Sequence, residues 1–344
     1  MPSVRGVAAQ HQVSVVTASR ALQVLRDKGL IQTIERSGCF RVPPPTAERW
    51  AVVLRVTAGP WRRATYDLTR AGFEALARRE PMHLTFDAFD LHPELTPRET
   101  EQAAADAKAN EVHGVFLLPS RTSDADTKAE EVFLSGCRAA GLPVVLLERG
   151  LRGRDAVDGW DVVGLDDVHG GAACTRHLFA GRRKRVGVVI GSPTSSHNDR
   201  LAGYLLAVHA TRAAAGRRAA DIPEVVIREP ADLPPKDAYA AVTDQVLEHE
   251  LDGVLCYSDY TALGVVLELL HRGVRVPADV GVCGFDNLPF GDQFAVGLTT
   301  YDYPAELLAE HAVRLMRERV KNPTAPPVRV AVPGQLIVRG STSN

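Results

Sequence analysis

The chain has 344 residues, 45% of them hydrophobic and 24% charged. That is enough apolar mass for two or three globular domains, and it excludes long disorder and collagen-like repeats. No 18-residue apolar run occurs, and the opening MPSVRGVAAQHQ lacks the apolar stretch of a secretory signal, so neither a membrane partner nor export is expected. Five cysteines (39, 137, 174, 256 and 283) are scattered without a CxxC pair. Neither a disulfide framework nor a zinc ribbon is expected, and a reducing, cytoplasmic location fits.

Charge is unevenly spread. Residues 1–45 carry six basic groups (Arg5, Arg20, Arg26, Lys28, Arg36, Arg41) against Asp27 and Glu35, a net of +4. The other 299 residues carry 34 basic and 40 acidic groups, a net of −6. A small basic head on a large acidic body is the asymmetry expected of a nucleic-acid reader tied to something else.

In the head, Ser3 can cap a helix running to about His11, with Val4, Val7 and Ala8 on one face. Val13 and Ser14 make a turn, and Ser14 caps the next helix. Ala18, Ala21, Leu22 and Leu25 then form an amphipathic stripe, which ends at Asp27-Lys28-Gly29. Leu30–Ile34 and Cys39–Val42 read as a hairpin, with Leu30, Ile34, Phe40 and Val42 in one period-2 phase. Helix, tight turn, helix and ribbon in this order predict a winged helix-turn-helix over residues 1–45. The second helix would enter the major groove of duplex DNA. It exposes Val15, Val16, Thr17, Ser19, Arg20 and Gln23. Arg20 is the residue expected on a guanine edge, where its fork makes two parallel hydrogen bonds. Ser14, Thr17 and the wing's Arg36 and Arg41 are expected on phosphates.

These residues carry a family resemblance. The stretch from Val4 to Val42, with its ALxxLxxKGLI and SGCFRV segments, resembles the second half of a GntR-type winged helix. VSVVTASRAL is similar to the helix-turn-helix of the LacI/GalR family. The GntR likeness implies a further helix ahead of the position of Pro2, which this sequence starts too late to contain. It also implies Arg after the capping Ser, where Val15 stands. Pro43-Pro44-Pro45-Thr46 breaks the ladder and opens a short, semi-stiff linker placed at residues 46–49. No hinge helix is expected there.

From residue 50 to 344 apolar runs alternate with helical spacing. Strands are expected at Ala51–Val56, His83–Phe89, Gly114–Leu118, Pro143–Leu147 and Val162–Leu165, with helices at Ala64–Arg79, Arg98–Asn110 and Ala125–Ala140. A second series has strands at Val186–Ile190, Val225–Arg228, Gly253–Tyr257 and Val280–Cys283. Its helices are Arg200–Ala215, Lys236–His249 and Thr261–Arg272. Such alternation predicts an α/β fold of two Rossmann-like lobes with about nine parallel strands. Ligands of these folds sit outside the strands' carboxyl ends, which places a site in the cleft.

HGVFLLP, GLPVVLLER, VVGLDDVHGGAACTRHLFAGRRKRVGVVIGS, NDRLAGYLLAV, DGVLCYSDYTALGVVLELLHRGVRVPADVGVCGFDN and GLTTYDYP resemble successive blocks of the LacI/GalR effector domain. That likeness implies a type I periplasmic-binding-protein-like fold. With the head, it implies an arabinose-repressor-type regulator: a dimer that binds operator DNA and a sugar-like effector, with no cofactor. On the matching blocks, Arg200 is expected to reach ligand hydroxyls and Asp286 to supply the carboxylate at a strand end. Ser258 falls where many members have Asn, and Glu148 faces them from the other lobe. Tyr66, Trp61 and Tyr303 are the aromatics available for stacking. The plain alternatives are that Arg200 pairs with neighbouring Asp199 and that Asp286 caps the turn at Asn287.

No GxSxG, HExxH, Walker loop or GxGxxG after a strand is present, and the histidines lack metal-ligand spacing. An enzyme and a metal site are therefore not expected. Two readings remain: a ligand-responsive transcription regulator, or a soluble sugar-binding protein whose truncated head does not bind DNA.

Overall fold

The structure is a computed structural model and describes residues 4–27, 31–34, 38–41, 47–55, 64–120, 123–151, 153, 159–191, 194–216, 222–293 and 296–343. Contacts divide the chain into two units, Met1–Glu48 with Pro81–His83, and Arg49–Glu80 with Leu84–Asn344.

The first unit holds helices α1 (Val4–Gln10) and α2 (Val15–Asp27), followed by strands β1 (Ile31–Ile34) and β2 (Gly38–Arg41). Gln12 takes φ +53°, which turns the chain after α1, and Val13 N–H bonds back to the Ala8 carbonyl at 3.0 Å. Ser14 caps α2: its Oγ accepts from Thr17 N–H at 3.0 Å, satisfying a helix-end donor that has no partner within the helix. Ala8, Ala18 and Leu22 are buried, whereas Ala21, expected in the buried stripe, is exposed. Val15, Val16, Thr17, Ser19, Arg20 and Gln23 are all exposed. The ribbon is antiparallel, with Ile31 opposite Arg41 and Ile34 opposite Gly38. Gly29, Arg36, Pro43–Pro45 and Trp61 lie outside the described residues.

The body begins with β3 (Glu48–Leu54), α3 (Ala64–Ala77), β4 (Met82–Phe86), α4 (Pro97–Ala109), β5 (Gly114–Leu118), α5 (Asp124–Ala139), β6 (Val144–Leu147) and β7 (Asp161–Leu165). It continues with α6 (Asp167–Ala180), β8 (Val186–Ile190), α7 (Ser195–Ala215), β9 (Val225–Arg228), α8 (Pro235–Glu248), β10 (Gly253–Cys256) and α9 (Asp259–His271). It closes with β11 (Gly281–Asp286), α10 (Phe290–Gln293), β12 (Thr299–Asp302), α11 (Ala305–Lys321), β13 (Arg329–Val332) and β14 (Leu336–Ile337). Among the described residues no helix is long and apolar enough to cross a membrane.

Among the described residues two six-stranded sheets result, ordered β13-β7-β6-β5-β3-β4 and β14-β12-β11-β10-β8-β9. Pairing is parallel from β13 to β3 and from β12 to β9, while β14 runs antiparallel to β12. β5, β6, β8 and β10 are buried along their whole length, because helices cover both faces of a parallel sheet. Burying each Val, Leu or Phe there contributes about 1.5–3 kcal/mol. The strand count corrects the expectation of about nine: β12, β13 and β14 are only four, four and two residues long. They complete the sheets because the chain passes between lobes three times: from β7 into α6, from β12 into α11 and from β13 into β14. Helix α11 was not foreseen either.

The three passages lie side by side. Asp166 N–H bonds the Val332 carbonyl at 2.8 Å, and Asp302 N–H bonds the Gln335 carbonyl at 2.7 Å. A Cβ on Gly334 would stand 2.2 Å from the Asp302 carbonyl oxygen, so only glycine permits this approach.

Candidate functional site

The site is built where helices α6 and α7 meet. A Cβ at Gly171 would lie 2.3 Å from the Arg200 carbonyl oxygen, and one at Gly203 would lie 2.2 Å from the Val168 carbonyl oxygen. These glycines let the two backbones touch, which brings the start of α6 against the second turn of α7. Asp166 and Asp167 then divide their work. Asp166 caps α6 by accepting His169 N–H at 2.9 Å. Asp167 is left to accept Arg200 Nε–H at 2.7 Å.

Arg200 is held on four sides. Besides Asp167, it donates to the Tyr257 carbonyl, lies 4.2 Å over the Phe285 ring, and has a terminal nitrogen 3.9 Å from Asp286 Oδ1. It does not pair with its neighbour Asp199, which binds Arg329 instead. Helix α7 begins at Ser195, capped by Thr194, five residues before the expected start. Strand β11 runs three residues past its expected end, so Asp286 is its last residue, with φ +102°.

Buried Asp259 fixes that end of β11. It accepts Thr300 Oγ1–H at 2.6 Å and Leu288 N–H at 2.7 Å, pinning both the neighbouring strand and the turn after Asp286. Burial and the nearby Asp286 push its carboxyl well above the usual carboxylate range.

Groups of the other lobe face this cluster. Glu148 follows β6 with φ +68° and is 6% exposed. Tyr303, at the passage from β12 to α11, shares its hydroxyl between Glu148 and Thr69 of α3, the latter at 2.8 Å. Burial and the charge of Asp167 raise the Glu148 carboxyl to about 7, despite Tyr303, Arg149 and Arg200. Burial likewise raises Asp167 to about 6 against the pull of Arg200. Tyr260 is pushed up by burial and by Asp67 and Asp286, carboxylates of opposite lobes. Gly150 N–H donates to Ser195 Oγ at 3.2 Å, a direct link across the cleft.

Of the residues expected to hold a ligand, Arg200, Asp286, Glu148 and Tyr303 come together. Ser258 does not join them. It caps α9, accepting Thr261 N–H at 3.2 Å, and its hydroxyl bonds Thr261 Oγ1 at the same distance. Tyr66 is buried on α3 with its hydroxyl on Asp87 at 3.3 Å. Asp167, Asp259, Phe285 and the tilted ring pair His197–Tyr257, 4.5 Å between ring centroids, were not singled out. Only the doubled aspartate in LDDVHGG signalled any of them, and one capping carboxylate would have explained it. Arg200 and the acids hold no nucleophile–base pair among themselves. What they offer is one fixed fork of donors beside several carboxylate acceptors.

Comparison with known proteins places this geometry. Residues 175–342 match the family of periplasmic binding protein-like domains. A 206-residue stretch is 28% identical to the HTH-type transcriptional repressor PurR of Escherichia coli, covering 59% of this chain and 57% of the repressor. The chain thus matches little more than half the length of that relative. Among solved structures, the transcriptional regulator CelR–cellobiose complex superposes with TM-score 0.64 at 22% identity, over 99% of this chain and 100% of that one. A LacI family transcriptional regulator from Enterococcus faecium with bound ribose gives TM-score 0.63 at 19% identity, over 86% and 98% of the two chains. The body therefore has the two-lobed α/β fold of periplasmic-binding-protein-like domains.

Proposed function

We propose that this chain is a ligand-responsive, DNA-binding transcription regulator that acts as a homodimer in the cytoplasm. In this reading it represses carbohydrate-metabolism genes until a sugar-like effector binds between the lobes. Residues 1–45 are its winged helix-turn-helix reader, 46–49 its linker, and 50–344 its receptor and dimerisation part. Arg20 reads a base edge, with Val15, Val16 and Ser19 beside it. Ser14, Thr17, Arg36 and Arg41 stand on phosphates.

One observation carries the reading: the buried Arg200 nitrogen 3.9 Å from Asp286, faced by Glu148 of the other lobe. A hydroxyl is the group that suits both partners at once, accepting from the guanidinium and donating to the carboxylate. Adjacent hydroxyls extend the match to Glu148, and Tyr303 supplies an aromatic edge. Likeness to regulators solved with cellobiose and ribose supports a sugar as the occupant. Ser258, a helix cap, and Tyr66, on α3, have only secondary parts. A closed cleft changes how the heads of a dimer are presented. The coupling required is about 1–3 kcal/mol.

The test is fluorescence anisotropy of the full chain on DNA from upstream of its own gene, with and without a panel of neutral sugars that includes cellobiose and ribose. The expected result is tight binding weakened by one of these sugars, with Asp286→Ala binding DNA but deaf to the sugar. A variant that still responds refutes the site. Sugar binding by a chain that never shifts DNA refutes the regulator and leaves a binding protein.

A further inference from the structure

The amino-terminal edge of the first sheet, opposite the end that faces the cleft, carries a cavity of about 770 Å³. That lies within the range of small-molecule sites, roughly 300–1,000 Å³. Its apolar wall is Val112, Leu142, Trp160 and Val320, from the starts of β5, β6 and β7 and the end of α11. Its charged groups do not balance. Arg319 is neutralised by Asp161, bound through two hydrogen bonds of 2.7 and 2.9 Å. Glu111 stands 3.8 Å from Arg49 at the rim. Lys108 and Arg138 remain. Lys108 Nζ donates to the carbonyls of Ala140 and Gly141 at 3.1 and 3.2 Å, which satisfies hydrogen bonds without cancelling the charge. The Arg138 guanidinium carbon lies over Trp160, 4.4 Å from the ring centre. Among the described residues neither has a carboxylate within 4.0 Å.

His113 adds a donor. Its Nδ1 accepts Arg49 N–H at 3.1 Å, so the proton of the neutral ring belongs on Nε2. Two uncompensated cations, an indole and an aliphatic wall describe complementarity to a flat apolar body bearing a negative group.

We propose that this cavity binds a small organic acid with a flat apolar body, its carboxylate held by Lys108 and Arg138 and its body laid against Val112, Leu142 and Val320. The site is separate from the cleft and does not depend on the sugar reading. Cations close to the carboxyl ends of α4 and α5 also favour those helix ends, as any Lys or Arg there would. A structural role of that kind alone would leave organic acids unbound.

The probes are 1-naphthoate and its neutral analogue 1-naphthamide, titrated into the full chain by calorimetry and by fluorescence quenching. Saturable naphthoate binding is expected, at least tenfold tighter than naphthamide and weakened by salt. The double variant Lys108→Gln/Arg138→Gln is expected to lose tenfold or more. Arg138→Lys, which keeps the charge, is expected to lose less than threefold. Arg200→Lys, in the cleft, is expected to leave naphthoate affinity unchanged. Absence of saturable binding, equal binding of the amide, or binding indifferent to the double variant overturns the proposal. Loss of binding in Arg200→Lys also overturns it, because the acid would then be in the cleft.

Discussion

Replacing Glu148 with Gln tests the electrostatics of the cleft floor without removing volume. Glu148 is 6% exposed, and burial and the nearby Asp167 raise its carboxyl from 4.5 to about 7. The native state therefore holds this proton where the unfolded chain has released it. The sign follows: stability is full below the unfolded value near 4.5 and is lost as pH climbs towards 7. At about 1.4 kcal/mol per pH unit, that shift is worth about 3 kcal/mol across the window. Gln keeps an acceptor for the Tyr303 hydroxyl but carries no charge at any pH. Urea unfolding of the full chain at pH 5, 6, 7 and 8 gives the comparison. The variant is expected to lie within about 1 kcal/mol of the wild type at pH 5 and to exceed it by about 3 kcal/mol at pH 8. Glu130, raised to about 7 by burial, steepens both curves alike; Asp167, whose charge raises Glu148, belongs to the same coupled response and adds to the difference. Two curves that stay parallel from pH 5 to pH 8 refute the argument, because Glu148 would then ionise as freely in the fold as outside it.

Gly203→Ala places a methyl 2.2 Å from the Val168 carbonyl oxygen, and overpacking of this kind costs about 1–3 kcal/mol. It should also spread α6 from α7 and loosen the Asp167–Arg200 pair, so thermal melts and sugar affinity should fall together. A loss of stability with unaltered affinity would separate helix packing from the site. Asp167→Ala leaves Arg200 buried without its carboxylate, and such losses run to about 3–5 kcal/mol; a change below 1 kcal/mol in urea midpoints would mean that the pair matters little. Ser258→Ala removes a helix cap worth about 1 kcal/mol, while sugar affinity measured by calorimetry should stay within twofold. Arg20→Ala should weaken operator binding by about 1–3 kcal/mol at one base position, and a footprint with unchanged sequence preference would dismiss its role.

The element order of the body was legible because buried parallel strands and amphipathic helices differ in period, and that signal is local. Val186–Ile190 and Gly114–Leu118 are uninterrupted apolar runs, and the structure places β8 and β5 on those residues. The late strands carried no such signal. β13 is bracketed by Pro326-Pro327 and Pro333, and β14, after Pro333, has only two residues, so nothing in their spacing marks them as sheet edges. They become strands only because the chain crosses back to lobes already formed.

The candidate site divides in the same way. Arg200 and Asp286 could be placed by likeness to known blocks. Their immediate partners depend on contacts between distant segments, which spacing does not encode. Asp167 reads as one of two capping aspartates until Gly171 and Gly203 let α7 reach it. Ser258 reads as a ligand contact, and in the structure its hydroxyl also closes the first turn of α9. For Asp167 the residue type was visible and its duty was decided by Arg200, 33 residues further along the chain; for Ser258 the partner Thr261 is local. That is why Gly203→Ala, a substitution touching no ligand group, is the sharper probe of how this site is held. It alters the helix contact on which the Arg200–Asp167 geometry rests while leaving every polar group of the site in place.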